Sequence, residues 1–296
     1  MNIIFDTNAY RVLSYKLRSL SEKDKQVELK WLKLCEAKKG FTTKINIWVL
    51  CEILNHLCKL NDPGYKCCSE TLKFMLQHSG GEAFTHMFHT HLAHKFNCTE
   101  IAEYYKDMEV KIFKLAREFD VNGRSEKFEK SICDIPKLIE DYKRQRLEGF
   151  IDATNTLRDD GCKKISIDDE YLHGLVLRSM VKGYLDHELE PTFENNIKLH
   201  ELNNNHYLGI ARTIKVLKKG FRQNLNKEKF SKNFMDEILC CEIGKSNDTI
   251  LITDDGKTKE GIITTFKEKG YPEKTMELDK YLRFIGYSLP PPTVYE

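Results

Sequence analysis

The chain has no excess of either charge, no apolar run of membrane length and no Cys-x-x-Cys pair. Lys plus Arg number 47 and Asp plus Glu 45, for a net charge of +2 over 296 residues. That balance excludes a wholesale polyanion binder, so any contact with nucleic acid must come from a local patch. No stretch approaches the roughly 20 apolar residues of a membrane span. The N-terminus lacks a basic region followed by an apolar one, so no secretory signal and no membrane are expected. Ten cysteines are present, but Cys67-Cys68 and Cys240-Cys241 are adjacent pairs. Adjacency suits neither an easy disulfide nor a tetrahedral zinc site. Reduced thiols in a cytoplasmic protein are the expectation. Repeats and simple-sequence linkers are missing too. With 41% apolar and 31% charged residues, the chain reads as globular, enough for one large domain or two small ones.

What is present begins at the first eight residues. Ile3, Ile4 and Phe5 form a short apolar run that ends in Asp6-Thr7-Asn8. Such a run predicts a strand buried on both faces in a parallel sheet. Ligands of open α/β sheets bind past the carboxyl ends of the strands, where Asp6 falls. A carboxylate there is costly unless something positive meets it, and a metal ion is the simplest partner.

Ser21 then reads as the N-cap of a helix closed by Lys38-Lys39-Gly40, with an apolar face of Val27, Trp31, Leu34 and Cys35 widened by Leu29 and Leu32. A helix is expected over Ile45 to Leu60, with Glu52 inside its apolar run. Two readings of Glu52 stand side by side. It shares a solvated stripe with Asn55 and His56, or it faces the same pocket as Asp6. Asn61-Asp62-Pro63-Gly64 is a strong break. From there to about Lys229 the pattern is mainly helical, with a strand hint at Lys163 to Ile167.

In that stretch His86, His89, His91 and His94 cluster, but without the Glu of a His-Glu-x-x-His zinc pattern. They are expected to be partly buried or surface histidines. Arg212, Lys215, Lys218, Lys219, Arg222, Lys227, Lys229 and Lys232 face Glu228 alone between residues 212 and 232. A solvated helix face explains that run. A track for a phosphate backbone is the sharper reading. Asp236 follows near a helix start, with Asn233 placed to cap it. Thr249 to Thr253 is a second β-prone run and again ends in acids, Asp254-Asp255-Gly256. A last helix over about Lys257 to Lys269, an edge strand near Thr275 to Leu278 and a stiff Pro290 to Pro292 tail complete the reading.

Taken together, Ile3-Ile4-Phe5-Asp6-Thr7-Asn8, Val49-Leu50-Cys51-Glu52-Ile53-Leu54, Asp236-Glu237-Ile238-Leu239 and Leu251-Ile252-Thr253-Asp254-Asp255 resemble, in order, the acidic blocks of PIN-domain nucleases. The resemblance implies an α/β fold with a mostly parallel sheet flanked by helices. It implies a PIN-like core in residues 1–62 plus 230–296, and a large α-helical insertion, 63–229, between the second and third acidic motifs. It further implies Asp6, Glu52, Asp236 and Asp255 as catalytic and metal-holding acids for Mg²⁺ or Mn²⁺. Asp255 is preferred over Asp254 because the family's pattern is Thr-x-Asp. Thr7, Thr253 and Asn8 would support them.

RNA is the expected substrate, with DNA left open, and the class of nuclease includes toxin and phage-defence types. The insertion would serve as a lid, a substrate-selecting surface, or a contact for a protein partner or second copy. Crowded acids repel, so activity should fall at acidic pH and Mn²⁺ should raise the melting temperature. A haloacid-dehalogenase-like phosphatase also opens with a strand-end Asp, but most members need an acid where Asn8 stands. A degenerate PIN-like scaffold that binds RNA or protein is the non-enzymatic alternative.

Overall fold

The computed structural model describes residues 1–80, 84–159, 170–222, 239–244, 248–256 and 274–288. The chain divides into two compact units. One holds Met1–Thr85, Val110–Ile135 and Asp248–Glu296; the other holds His86–Glu109 and Pro136–Asn247.

The first unit is α/β. Strands β1 (Asn2–Phe5), β2 (Thr42–Asn46), β3 (Phe84–Thr85), β4 (Thr249–Ile252) and β5 (Thr275–Met276) form one sheet in the order β3-β2-β1-β4-β5. Every pairing is parallel, so all carboxyl ends share one edge. Ile3, Ile4 and Phe5 are buried, as a central parallel strand covered on both faces requires. The second apolar run, Thr249–Ile252, is buried along its whole length and pairs with β1 from Asn2↔Thr249 to Phe5↔Ile252.

Two elements differ from the sequence reading. Helix α1 (Thr7–Leu17) starts at once after Asp6, whose side chain caps it by accepting from the Ala9 amide. Its buried Ala9, Tyr10, Leu13, Ser14 and Leu17 include two polar side chains, which hid the stripe. Thr42–Asn46 is strand β2, not the first turn of a helix. Asn46 ends the strand and caps helix α3 (Ile47–Leu57) by accepting from the Trp48 and Val49 amides at 2.9 and 3.4 Å. With no turn residue between strand and helix, the two merge into one apolar run in the sequence.

Helix α2 (Glu22–Lys38) starts at the Ser21 cap, but its inward face is Leu29, Leu32, Cys35 and Glu36. Val27, Trp31 and Leu34 are exposed. Helix α4 (Tyr65–His78) packs on α1 and α3, so the Asn61–Gly64 break is a turn within this unit and not its border. Chain 110–135 also joins this unit, whereas the described residues 239–244 go to the other.

The second unit is helical. It comprises α5 (Phe88–Lys95), the first part of α6 (Thr99–Asn122), most of α8 (Asp134–Asp159), α9 (Glu170–Leu185), α10 (Phe193–Asn205), α11 (Tyr207–Arg222) and a 3-10 turn at Cys240–Glu242. The short α7 (Glu126–Ile132) belongs to the first unit with the rest of α6. Leu92, Leu172, Val176, Leu177, Ile210 and Ile214 are among the core residues of the helical unit. Gly209 lets α11 meet the 3-10 turn: a Cβ there would lie 2.7 Å from Cys241 Cα. Helix α12 (Leu278–Ile285), in the first unit, stops at Gly286 in the left-handed region, with the Tyr287 amide donating to the Leu282 carbonyl. Among the described residues no helix is long and apolar enough to cross a membrane, and Cys35, Cys51, Cys58, Cys67, Cys68, Cys98 and Cys133 are free thiols. The strand hint at Lys163 to Ile167, the helix over Lys257 to Lys269 and the Pro290 to Pro292 tail lie outside the described residues.

Candidate functional site

The carboxyl edge of the sheet is where the acids collect. The Asp6 amide continues the ladder by donating to the Ile252 carbonyl at 2.9 Å. Its Oδ1 accepts from the Ala9 amide at 2.6 Å, and its Oδ2 accepts from the Thr253 hydroxyl, just past β4. One residue on, the Thr7 hydroxyl donates to Glu52 Oε2 of α3 at 2.5 Å. Thr7 and Thr253 are both buried, while Asp6 and Glu52 are half-buried and reach solvent. Two buried hydroxyls thus aim two carboxylates drawn from β1 and α3.

The acids after β4 separate by task. Asp254 Oδ1 accepts from the Leu278 amide at 3.0 Å and so holds the start of α12. Asp255 is half-buried, and its amide donates to the Thr253 hydroxyl at 3.1 Å. Asn8 is exposed on the first turn of α1. Asp236 lies outside the described residues, as do the side chains of Lys219 and Arg222. Arg212, Lys215 and Lys218 lie half-buried on α11, in the helical unit, whereas the acids belong to the α/β unit.

Glu52 has features of both readings. It bonds Thr7 at the sheet edge, and it lies one turn before His56, whose Nδ1 meets Asp62 Oδ1 at 3.0 Å. The residue that sequence reasoning passed over is Arg11. It stands one turn after Thr7 on α1, and its Nη2 donates to Cys68 Sγ of α4 at 3.2 Å. Burial pulls its pKa down, but the Cys68 thiol and the Glu52 carboxylate outweigh that and the net shift is upward. Its four-residue spacing from Thr7 was the signal available.

Carboxylate and hydroxyl oxygens are the donors that a hard divalent cation takes, so the chemistry of the edge fits Mg²⁺ or Mn²⁺. Among the described residues no three His, Cys, Asp or Glu side chains form a group able to hold a metal. Asp6, Glu52 and Asp255 therefore do not complete such a centre by themselves.

Of the four clustered histidines only His89 is buried; His86 and His91 are half-buried and His94 is exposed. His89 is fully buried, shares a hydrogen bond with the Tyr142 hydroxyl and has its pKa held well below the usual value by burial and by Arg146. His86 Nδ1 meets the buried Glu109 at 2.6 Å. His91 stands 5.4 Å, ring to ring, from His206, whose Nδ1 meets the Cys241 carbonyl at 2.6 Å. Burial, with His91 beside it, pushes His206 down to about 4.

Comparison with known proteins gave no match to a family model, a curated protein or a solved structure.

Proposed function

We propose that the protein is a metal-dependent nuclease of PIN type that hydrolyses phosphodiester bonds, with RNA as its substrate. The observation that carries this reading is the pairing of Thr253 with Asp6 and of Thr7 with Glu52 at the carboxyl edge of an all-parallel sheet. Asp6, Glu52 and Asp255 would hold the cation together with Asp236, and Asp254 stands beside them. When bound, Mg²⁺ or Mn²⁺ supplies Lewis-acid activation of a phosphodiester oxygen and of water.

The chain's own residues do the positioning. The Ala9 amide and Thr253 fix both oxygens of Asp6, so its carboxylate does not rotate when a ligand arrives. Thr7 holds one oxygen of Glu52, Oε2. Arg212, Lys215 and Lys218 offer cations to a phosphate backbone. Free thiols fit a reducing cytoplasm. The helical unit would contact the substrate, a protein partner or a second copy, and a toxin or phage-defence role fits a nuclease of this kind.

One observation favours a second reading. Both Asp6 oxygens already have protein donors, and the described acids alone do not make a three-ligand group. Both would suit a non-catalytic scaffold. A haloacid-dehalogenase-like phosphatase gains nothing, because Asn8 is exposed where its second acid would stand.

The test is cleavage of labelled single-stranded RNA and DNA with Mn²⁺, Mg²⁺ or EDTA, beside Asp6→Asn. Asparagine caps helices as well as aspartate, so the variant keeps α1. RNA cut by wild type with metal, and spared by Asp6→Asn and in EDTA, supports the proposal. Cleavage of DNA alone overturns the substrate, and no metal-dependent cleavage promotes the scaffold.

A further inference from the structure

We infer that Arg11 is the phosphate-binding residue of this acidic edge, taking a non-bridging oxygen of the substrate backbone beside Glu52. The inference rests on the nuclease reading and adds a residue that the acidic blocks do not contain.

Three observations meet at this side chain. Thr7 and Arg11 lie one turn apart on α1, and Thr7 bonds Glu52, so the guanidinium belongs to the rim of the acid cluster. The side chain is tethered at one end, where Nη2 donates to Cys68 Sγ at 3.2 Å. Its Nε is buried with no hydrogen-bond partner among the described residues. A buried guanidinium N–H without an acceptor is costly, and a thiol is a weak acceptor for the other edge. Arg11 as a whole is half-buried, and once its side chain turns outward an oxyanion satisfies what the protein leaves open, since the planar fork of arginine matches phosphate oxygens. Glu52 alone does not explain the arrangement, because its mapped hydrogen bond comes from Thr7. Arginine is protonated at every working pH, so the donor is always present.

The chemistry also fits the task. A cluster of carboxylates repels a polyanion, and a fixed cation at its rim lets the backbone approach. Lysine would keep the charge and lose the fork.

The experiment measures steady-state cleavage of a labelled single-stranded oligoribonucleotide with Mn²⁺, across a salt series, for wild type, Arg11→Gln and Arg11→Lys. KM is expected to rise about 10-fold in Arg11→Gln with kcat nearly unchanged, since the contact binds ground state and transition state alike. The slope of log KM against log salt should fall by about 0.7 in Arg11→Gln, one single-strand phosphate contact, and stay unchanged in Arg11→Lys, whose KM still rises. A purely structural arginine would lower the melting temperature and leave the salt slope alone. Unchanged KM and slope in both variants, with wild type active, overturns Arg11 and spares the nuclease. If Arg11→Gln does not fold, Arg11→Lys decides: an unchanged KM overturns the inference. Wild type inactive with every metal overturns both.

Discussion

Two carboxylate clusters stand in the α/β unit, and they are built alike but finished differently. Glu36 of α2 meets His78 Nε2 of α4 at 3.0 Å and the Tyr281 hydroxyl of α12 at 2.8 Å. All three are sealed, at 3%, 2% and 1% exposure. Asp6 and Glu52 also take donors from neighbouring elements, yet both stay half-exposed at the sheet edge. The sealed cluster joins three helices and has no path to a ligand. The exposed one leaves oxygens within reach of one. Burial with matched donors makes a carboxylate a structural bolt, whereas orientation without sealing leaves it open to a ligand. Sequence position alone does not separate them, because Glu36 and Glu52 each lie within a helix that carries an apolar face.

The comparison breaks most visibly at Asp6. On the proposed nuclease reading, Asp6→Asn is expected to lose at least about 100-fold in cleavage rate, because the carboxylate proposed to hold the metal becomes a neutral amide, with little change in melting temperature. Next is Glu36→Ala, expected to cost about 3 to 5 kcal/mol in urea unfolding, because His78 and Tyr281 lose their acceptor in the core. Its activity per folded molecule should stay near that of wild type. The reverse pattern in these two variants would exchange the roles assigned to the clusters.

Smaller effects sharpen the contrast. Thr253→Val and Thr7→Val should each lower cleavage about 10-fold by loosening Asp6 and Glu52, read as kcat at fixed Mn²⁺. The sealed cluster should also show in acid. Burial pushes the Glu36 carboxyl up, but His78, Tyr281 and Thr43 outweigh it and hold it below its ordinary 4.5. A depressed carboxyl stabilises the fold above its unfolded value and loses that contribution as pH falls through the folded one. Melting temperature should therefore drop below about pH 4.5, and Glu36→Gln should flatten that drop. His206 adds a separate slope in the helical unit. It is neutral in the fold down to about 4 against an ordinary 6.5, so the unfolded chain takes the proton first and stability declines as pH falls between these values. His206→Gln should flatten that interval while leaving the Glu36 step in place.

The sequence carried the strands whose both faces are buried, since β1 and β4 are unbroken apolar runs. It carried the meeting of Asp6 with the end of β4, because parallel strands bring their carboxyl ends to one edge. It did not carry β2, which runs directly into α3 through Asn46. Nor did it show which face of α2 turns inward. That helix has two apolar stripes, and packing chose the one containing Glu36, because His78 and Tyr281 wait on that side. Arg11 showed only its four-residue spacing from Thr7, because its partner Cys68 comes from a helix that no local pattern connects to α1.

The most direct measurement of the central claim is the melting temperature of wild type and Asp6→Asn across a Mn²⁺ titration. A cation held by the exposed acids stabilises the folded chain by mass action. Wild type should gain several degrees at saturation and Asp6→Asn almost none. An equal gain in both, or none in wild type, would contradict the assignment of a metal to the Asp6 edge.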